Sequence, residues 1–386
     1  MRAPQSLPAP SASARAAPEE RRRLVELFVR LCEIESPSGD ERAMADAVIA
    51  ELRTAGLEPE EDRSAAETGS NAGNVLARIE PPPGAPTVLF CAHLDTVPLA
   101  GPIEVVEEEG VLSNRHAAIL GADNKAAVAV FLMLAQRAAA EPPPVGIELL
   151  FTTGEERALA GAKALERSSL RSQLGFVFDH ASDIGELVVA APTYYRLEAT
   201  FIGQAAHAGI RPETGRNAIA AAALGLSRLR LGRLDDRTTA NVGRIEGGSA
   251  ANVVAERCDV ELEARSLDDE RAGEVVAAMV DTLTEAASDA ECDVETRVQM
   301  MFRGYRLPRS SPPVALAQRA LESLAIEPRL VPSGGGSDAN VLAPAGIPCV
   351  NVGNGTERNH QPDERVSRRA LETALDVALA LVERPA

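Results

Sequence analysis

The chain lacks any apolar run near the ~20 residues that a membrane-spanning helix needs. Its opening stretch, MRAPQSLPAPSASARAAPEE, has no apolar core and does not form a secretory signal. Residues 1–17 read instead as a flexible leader of Pro, Ala and Ser. Arg, Ser and Ala are transit-peptide residues, but Glu19 and Glu20 follow too closely for that reading. Cysteine is sparse: five residues, an odd number, with no CxxC pair. That excludes a zinc ribbon and argues against a disulfide framework, so the thiols are expected buried and free, and the compartment cytoplasmic. Basic residues are outnumbered, 39 against 57, for a net charge of -18. This balance argues against nucleic acid and anionic membranes as partners. It can attract metal cations, although most of the charge is expected to solvate the surface.

What is present fits a large two-domain protein, with 386 residues and a hydrophobic fraction of 45%. Pro18 opens a helical pattern, and a second helix is expected from about Asp40 to Ala55, ending at Gly56. Beyond it, short apolar runs alternate with helical ones. NVLARI, TVLFCAH, VGIELLFTT and LGFVFD read as strands; AAVAVFLMLAQRAA and ALAGAKALER read as helices. The alternation predicts an α/β layer with a mostly parallel sheet. From about Thr193 the rhythm changes to four strands and two helices, a compact α+β module. After Arg303 the α/β style resumes. The predicted architecture is therefore a discontinuous α/β domain, 18–192 and 303–386, interrupted by an inserted α+β domain at 193–302.

Polar residues collect where these strands end. VLFCA runs into His93-Leu94-Asp95, ELLFTTG into Glu155-Glu156, and GFVF into Asp179-His180. Asp123 precedes a helix, and the loop after VNVG reaches His360. Open α/β sheets build their sites outside the carboxyl ends of strands, so all of these belong on one edge. Taken singly, a Glu-Glu pair is usually surface charge, and an Asp before a helix is usually an N-cap. Their joint placement suggests a pair of metal ions, zinc first, with manganese or cobalt accepting the same donors. Three ligating carboxylates, Asp123, Glu156 and Asp179, set -3 against +4, and one hydroxide neutralises the shell. Glu155 is then left over as a general base, so two adjacent glutamates can do different work.

At these residues the chain resembles the M20 family of metallopeptidases, in its peptidase T-like branch. The resemblance rests on CAHLDTVP, ILGADNKAA, FTTGEERALAGAKAL, GFVFDH, GQAAHAGIRPETGRNAI, LGRLDDRTTANVGRIEGGSAANVVAE, EARSLD and GGGSDANVL. It implies that His93, Asp123 and Asp179 hold one metal, and that Asp123, Glu156 and His360 hold the other. It implies that Asp95 orients His93 and that Glu155 is the base. The insertion would be a lid and dimerisation domain. His207 would reach a partner's active site and bind the substrate oxyanion. Asn252, Arg265, Asp338 and Asn340 would contact substrate, Arg265 through a fork suited to carboxylates. Two stretches depart from the family pattern: Arg115-His116-Ala117-Ala118 replaces a polar run before Asp123, and Gln361 follows His360. His116 and His180 receive no role.

Asp rather than Glu at 179 resembles the aminopeptidase and dipeptidase side of the family. The expected activity is therefore amide hydrolysis in small peptides, most simply tripeptide aminopeptidase action by a homodimer, with Glu155 acting on a water between the metals. The alternatives are an N-acyl amino acid deacylase or carboxypeptidase on the same scaffold, and a non-catalytic scaffold protein.

Overall fold

A computed structural model describes residues 15–383. The expected leader lies outside the described residues over 1–14. Its end is not free: Ala16 is buried, and its N–H donates to Asp376 Oδ1 at 2.8 Å. The chain divides into two compact units. Unit 1 comprises Met1–Val189, Arg306–Pro332 and Ser337–Ala386; unit 2 comprises Ala190–Tyr305 and Ser333–Gly336. The glycine-rich stretch at 333–336 was expected in the α/β part. It joins unit 2 because Gly336 lies against Phe302, where an added Cβ would come within 2.3 Å of the ring.

The first elements, in chain order, are α1 (Pro18–Cys32), α2 (Arg42–Thr54), β1 (Glu60–Glu61), α3 (Ala65–Thr68), β2 (Val75–Ile79) and β3 (Thr87–His93). There follow β4 (Val105–Glu108), β5 (Val111–Asn114), α4 (Ala122–Ala140), β6 (Gly146–Thr152), α5 (Ala160–Ala164), β7 (Gly175–His180) and β8 (Glu186–Ala191). Next come β9 (Thr193–Ile202), α6 (Ala218–Arg228), β10 (Gly232–Asp235), β11 (Thr238–Gly247), β12 (Arg257–Ser266), α7 (Asp269–Asp289) and β13 (Asp293–Phe302). The chain closes with β14 (Tyr305–Arg306), α8 (Pro312–Ser323), β15 (Arg329–Pro332), α9 (Ala339–Leu342), β16 (Cys349–Gly353), β17 (Thr356–Glu357), β18 (Arg365–Ser367) and α10 (Arg368–Glu383).

The main sheet runs β1-β2-β6-β3-β7-β16-β8-β14, with β15 on β8. Its centre is parallel, since β3 pairs in parallel with both β6 and β7, and β7 with β16. Strands covered on both faces are largely apolar, and β6 is buried at every position, Glu148 included. Four phenylalanines fasten α4 to this centre. Phe131 of α4 lies 5.3 Å from Phe90 and 5.2 Å from Phe178, both edge-on, and Phe176 is 5.5 Å from Phe90. A second sheet, β17-β18-β5-β4, is antiparallel. The sequence reading missed its β4–β5 hairpin, whose strands are short and half polar. The helix expected over ALAGAKALER shortens to one turn, α5.

Unit 2 is a five-stranded antiparallel sheet, β10-β11-β12-β9-β13. The expectation was four strands; the extra one, β10, is a short charged edge strand without an apolar alternation. Helix α6 begins at Asn217, whose Oδ1 accepts the N–H groups of Ile219 and Ala220, and α7 begins at Asp268 in the same way. Their apolar sides form one core with the sheet, through Leu197, Phe201, Val260, Leu262 and Leu283. Among the described residues, no helix is long and apolar enough to cross a membrane.

Candidate active site

The sheet order β6-β3-β7-β16 brings the carboxyl ends of neighbouring parallel strands to one edge of unit 1. His93 is the last residue of β3, Asp179 is near the end of β7, and Glu155 and Glu156 follow β6. Asp123 stands in the first turn of α4 with non-helical dihedrals, after Gly121, whose φ of +75° suits glycine. His360 sits in the loop between β17 and β18.

These residues converge. His93 Nδ1 is 2.9 Å from the Asp95 carbonyl oxygen, to which it donates as the Nδ1–H tautomer. Nε2 is the other ring nitrogen, and it faces Asp123 Oδ1 at 3.2 Å and Asp179 Oδ1 at 3.5 Å. His360 Nε2 faces Asp123 Oδ2 at 3.2 Å and Glu156 Oε1 at 2.7 Å. Asp123 thus gives one oxygen to each imidazole. Glu155 belongs to the same group, with a carboxylate oxygen within 4.8 Å of the ligand atoms of His93 and Asp179.

The electrostatics show a shortage of positive charge. Burial and the neighbouring Asp179 push the Glu155 carboxyl well above its ordinary range. Burial likewise raises Asp179, to about 8, although His93 pulls against it. Burial disfavours a charged His93 ring, yet Asp123, Asp179 and Asp95 outweigh it and hold the proton far above the usual imidazole range. His360 rises to about 10 beside Asp123 and Glu156. Two imidazole nitrogens and several carboxylate oxygens in this arrangement fit divalent ions of the zinc, manganese or cobalt type.

The framework holding these groups was largely invisible in the sequence. Asp95 grips His93 mainly through its backbone carbonyl; its carboxylate Oδ1 lies 3.4 Å from Nδ1. That carboxylate instead accepts the N–H groups of Glu155 at 2.9 Å and Glu156 at 3.1 Å, and the Ser38 hydroxyl at 2.5 Å. Glu41, buried, accepts the N–H of Gly154 at 3.0 Å. Three successive peptide groups of the Glu-Glu loop are therefore held by two buried carboxylates. Asn351 clamps the Asp179 backbone, accepting its N–H at 2.9 Å and donating to its carbonyl at 3.2 Å. Glu364 accepts the N–H groups of Leu120, Gly121 and Asp123.

Asp338 and Asn340, expected as substrate contacts, are 1% and 2% exposed. Asp338 Oδ2 accepts the Thr152 hydroxyl at 2.6 Å and lies 3.4 Å from the Cys91 thiol, while Asn340 Oδ1 accepts the Ser337 N–H. Asp338 thereby touches both β3 and β6. His180 pairs with Glu186 at 3.3 Å and exposed His116 with Glu104 at 3.5 Å, both apart from the converging groups.

In unit 2, His207 is exposed, and its Nδ1 accepts the Gly209 N–H at 3.2 Å, which leaves Nε2–H as an outward donor. Asn252 is exposed, and its carbonyl accepts the Ala208 N–H, tying its loop to that of His207. Arg265 pairs with Glu263 at 3.0 Å and stacks 4.3 Å over the Tyr194 ring. An incoming carboxylate would compete with Glu263 for that guanidinium.

The model of peptidase family M20/M25/M40 matches residues 89–384. The chain belongs to this family. It is 35% identical to the protein YqjE of Bacillus subtilis (strain 168) over 366 residues, 95% of this chain and 99% of the relative. The crystal structure of aminopeptidase PepT from Bacillus cereus ATCC 10987 is 35% identical, with a TM-score of 0.84, over 94% of this chain and 98% of that one. A tripeptidase from Staphylococcus aureus subsp. aureus mu50 is 33% identical, with a TM-score of 0.89 and the same coverage. This M20 chain is accordingly an enzyme, a metallopeptidase of the peptidase T-like branch, with the mixed α/β fold of its relatives.

Proposed function

We propose that this M20 peptidase is an aminopeptidase that removes the N-terminal residue of tripeptides with the help of two divalent metal ions, zinc first among the candidates. One observation carries the reading: Asp123 divides its two oxygens between His93 and His360, each of which faces a further carboxylate. Likeness to an aminopeptidase and a tripeptidase supports the substrate class. His93, Asp123 and Asp179 would hold one ion, and Asp123, Glu156 and His360 the other. When bound, the ions supply Lewis-acid activation of water and of the scissile carbonyl. Glu155 accepts the proton of the attacking water and delivers it to the leaving amine, a role that its raised proton affinity supports. We further propose a cytoplasmic homodimer formed through unit 2, in which the free Nε2–H of His207 serves the oxyanion of a partner's site and Asn252 and Arg265 bind substrate polar ends.

The test is product mapping by mass spectrometry on a free tripeptide and its N-acetylated form. Release of the first residue from the free peptide alone supports the aminopeptidase. Cleavage of the acetylated peptide would move the enzyme to the deacylase or carboxypeptidase side.

A further inference from the structure

The two metal positions proposed above are built on unlike supports. His93 and Asp179 stand on β3 and β7, which are neighbours in the parallel sheet with Cys91 opposite Val177. Backbone pairing and the Asn351 clamp fix their spacing. Asp123 and His360 have no such common strand. Asp123 is on the first turn of α4, and His360 is on a hairpin loop whose strands pair Thr356 with Val366 and Glu357 with Arg365. The His360 side chain is 49% exposed, and its φ of +65° is unusual for a residue with a Cβ. Sheet hydrogen bonds do not set its distance from Asp123.

Glu364 joins the two segments. It leaves the same hairpin loop as His360, is 2% exposed, and crosses to the start of α4. There Oε2 accepts the N–H of Leu120 at 2.8 Å and of Gly121 at 2.7 Å, and Oε1 accepts the N–H of Asp123 at 2.9 Å. Leu120 and Gly121 precede α4 and Asp123 is non-helical, so these buried N–H groups need a partner from outside the turn, which the carboxylate supplies. α4 has no side-chain cap of its own at Gly121, so the cap comes from the hairpin. Such charge-assisted bonds are stronger and shorter than neutral ones.

We propose that Glu364 is a positioning residue that sets the Asp123–His360 spacing, and thereby the affinity of the metal position formed by Asp123, Glu156 and His360. This inference rests on the two-metal reading. Glu364→Gln tests it. An amide has one acceptor oxygen and an NH2 donor, so it cannot serve all three N–H groups. Metal-free full-length wild type and variant are titrated with Co²⁺, followed by calorimetry and visible absorption, with circular dichroism of the metal-free proteins alongside. The expected result is a first equivalent bound within about threefold of wild type and a second weakened roughly 10–100-fold, the range for groups that support ligands from behind. If Glu364→Gln does not fold, Glu364→Asp takes its place with the same expectation. Two equivalents bound as in wild type would overturn the proposal, and so would equal weakening of both. Wild type binding fewer than two equivalents would instead defeat the two-metal reading itself.

Discussion

The two units use carboxylates in opposite ways. Around the unit 1 site they are buried and held by backbone N–H groups: Glu41, Asp95 and Glu364 each grip a loop that carries a site residue. In unit 2 they line the solvent face of an antiparallel sheet and pair with arginines across strands, as in Arg244–Glu261 at 3.0 Å and Arg196–Glu261 at 3.8 Å. The apolar residues of that sheet alternate towards α6 and α7, which leaves the other face to water. Charge of one kind serves as framework at the unit 1 site and as solvation on the unit 2 sheet. Burial and the identity of the donor separate the two uses.

The sharpest break concerns the one carboxylate at the site read as chemically active rather than supporting. Glu155→Gln removes the base but keeps shape, so kcat should fall by several orders of magnitude. Metal content and melting temperature should stay near wild type. Near-full activity would return Glu155 to the framework class. The next effect is one of charge balance. In the metal-free protein Asp179 has its proton affinity raised to about 8, above the ordinary carboxylate value. The proton that it retains stabilises the folded state fully below the unfolded pKa, near 4, and that stability is lost as pH rises through about 8. Melting temperature without metal should therefore decline between about pH 4 and 8. A divalent ion replaces the proton, so the decline should flatten in its presence. An identical slope with and without metal would remove the ion from this site.

The strand ends were legible because the main sheet's apolar runs stop abruptly at polar residues. TVLFCAH coincides with β3, and both the Glu-Glu pair and Asp179 fall where the runs around them predicted. The supports were not legible. Glu364 and Leu120 are 244 residues apart, and a side chain caught by a backbone N–H leaves no periodic trace. The HxD motif pointed to Asp95, but its carboxylate spends most of its bonds on Glu155, Glu156 and Ser38 rather than on His93. The burial of Asp338 and Asn340 was illegible for the same reason. A polar residue in a glycine-rich loop reads as exposed until its burial against Thr152 and Ser337 is seen. The four-residue strands β4, β5 and β10 escaped because so short a run shows little alternation.

Two truncations away from the site measure the contrast itself. Glu148 lies inside β6 and is 1% exposed; it binds Arg78 Nε at 3.1 Å, the N–H groups of Arg171 and Ser172, and the Ser172 hydroxyl. Glu148→Ala strands those buried N–H and hydroxyl donors and takes from Arg78 one of its two carboxylates, leaving it Glu60 at 3.2 Å, and should cost about 3–5 kcal/mol in urea unfolding. Arg244 in unit 2 is 57% exposed, and its partners Glu246 and Glu261 keep contact with water. Arg244→Ala should change stability by less than about 1 kcal/mol, and 0.5 M salt should shrink even that difference, because water already screens an exposed pair. If the loss at Arg244 approached that at Glu148, the ion pairs on the unit 2 sheet would be holding the fold, and burial would no longer distinguish the two kinds of carboxylate.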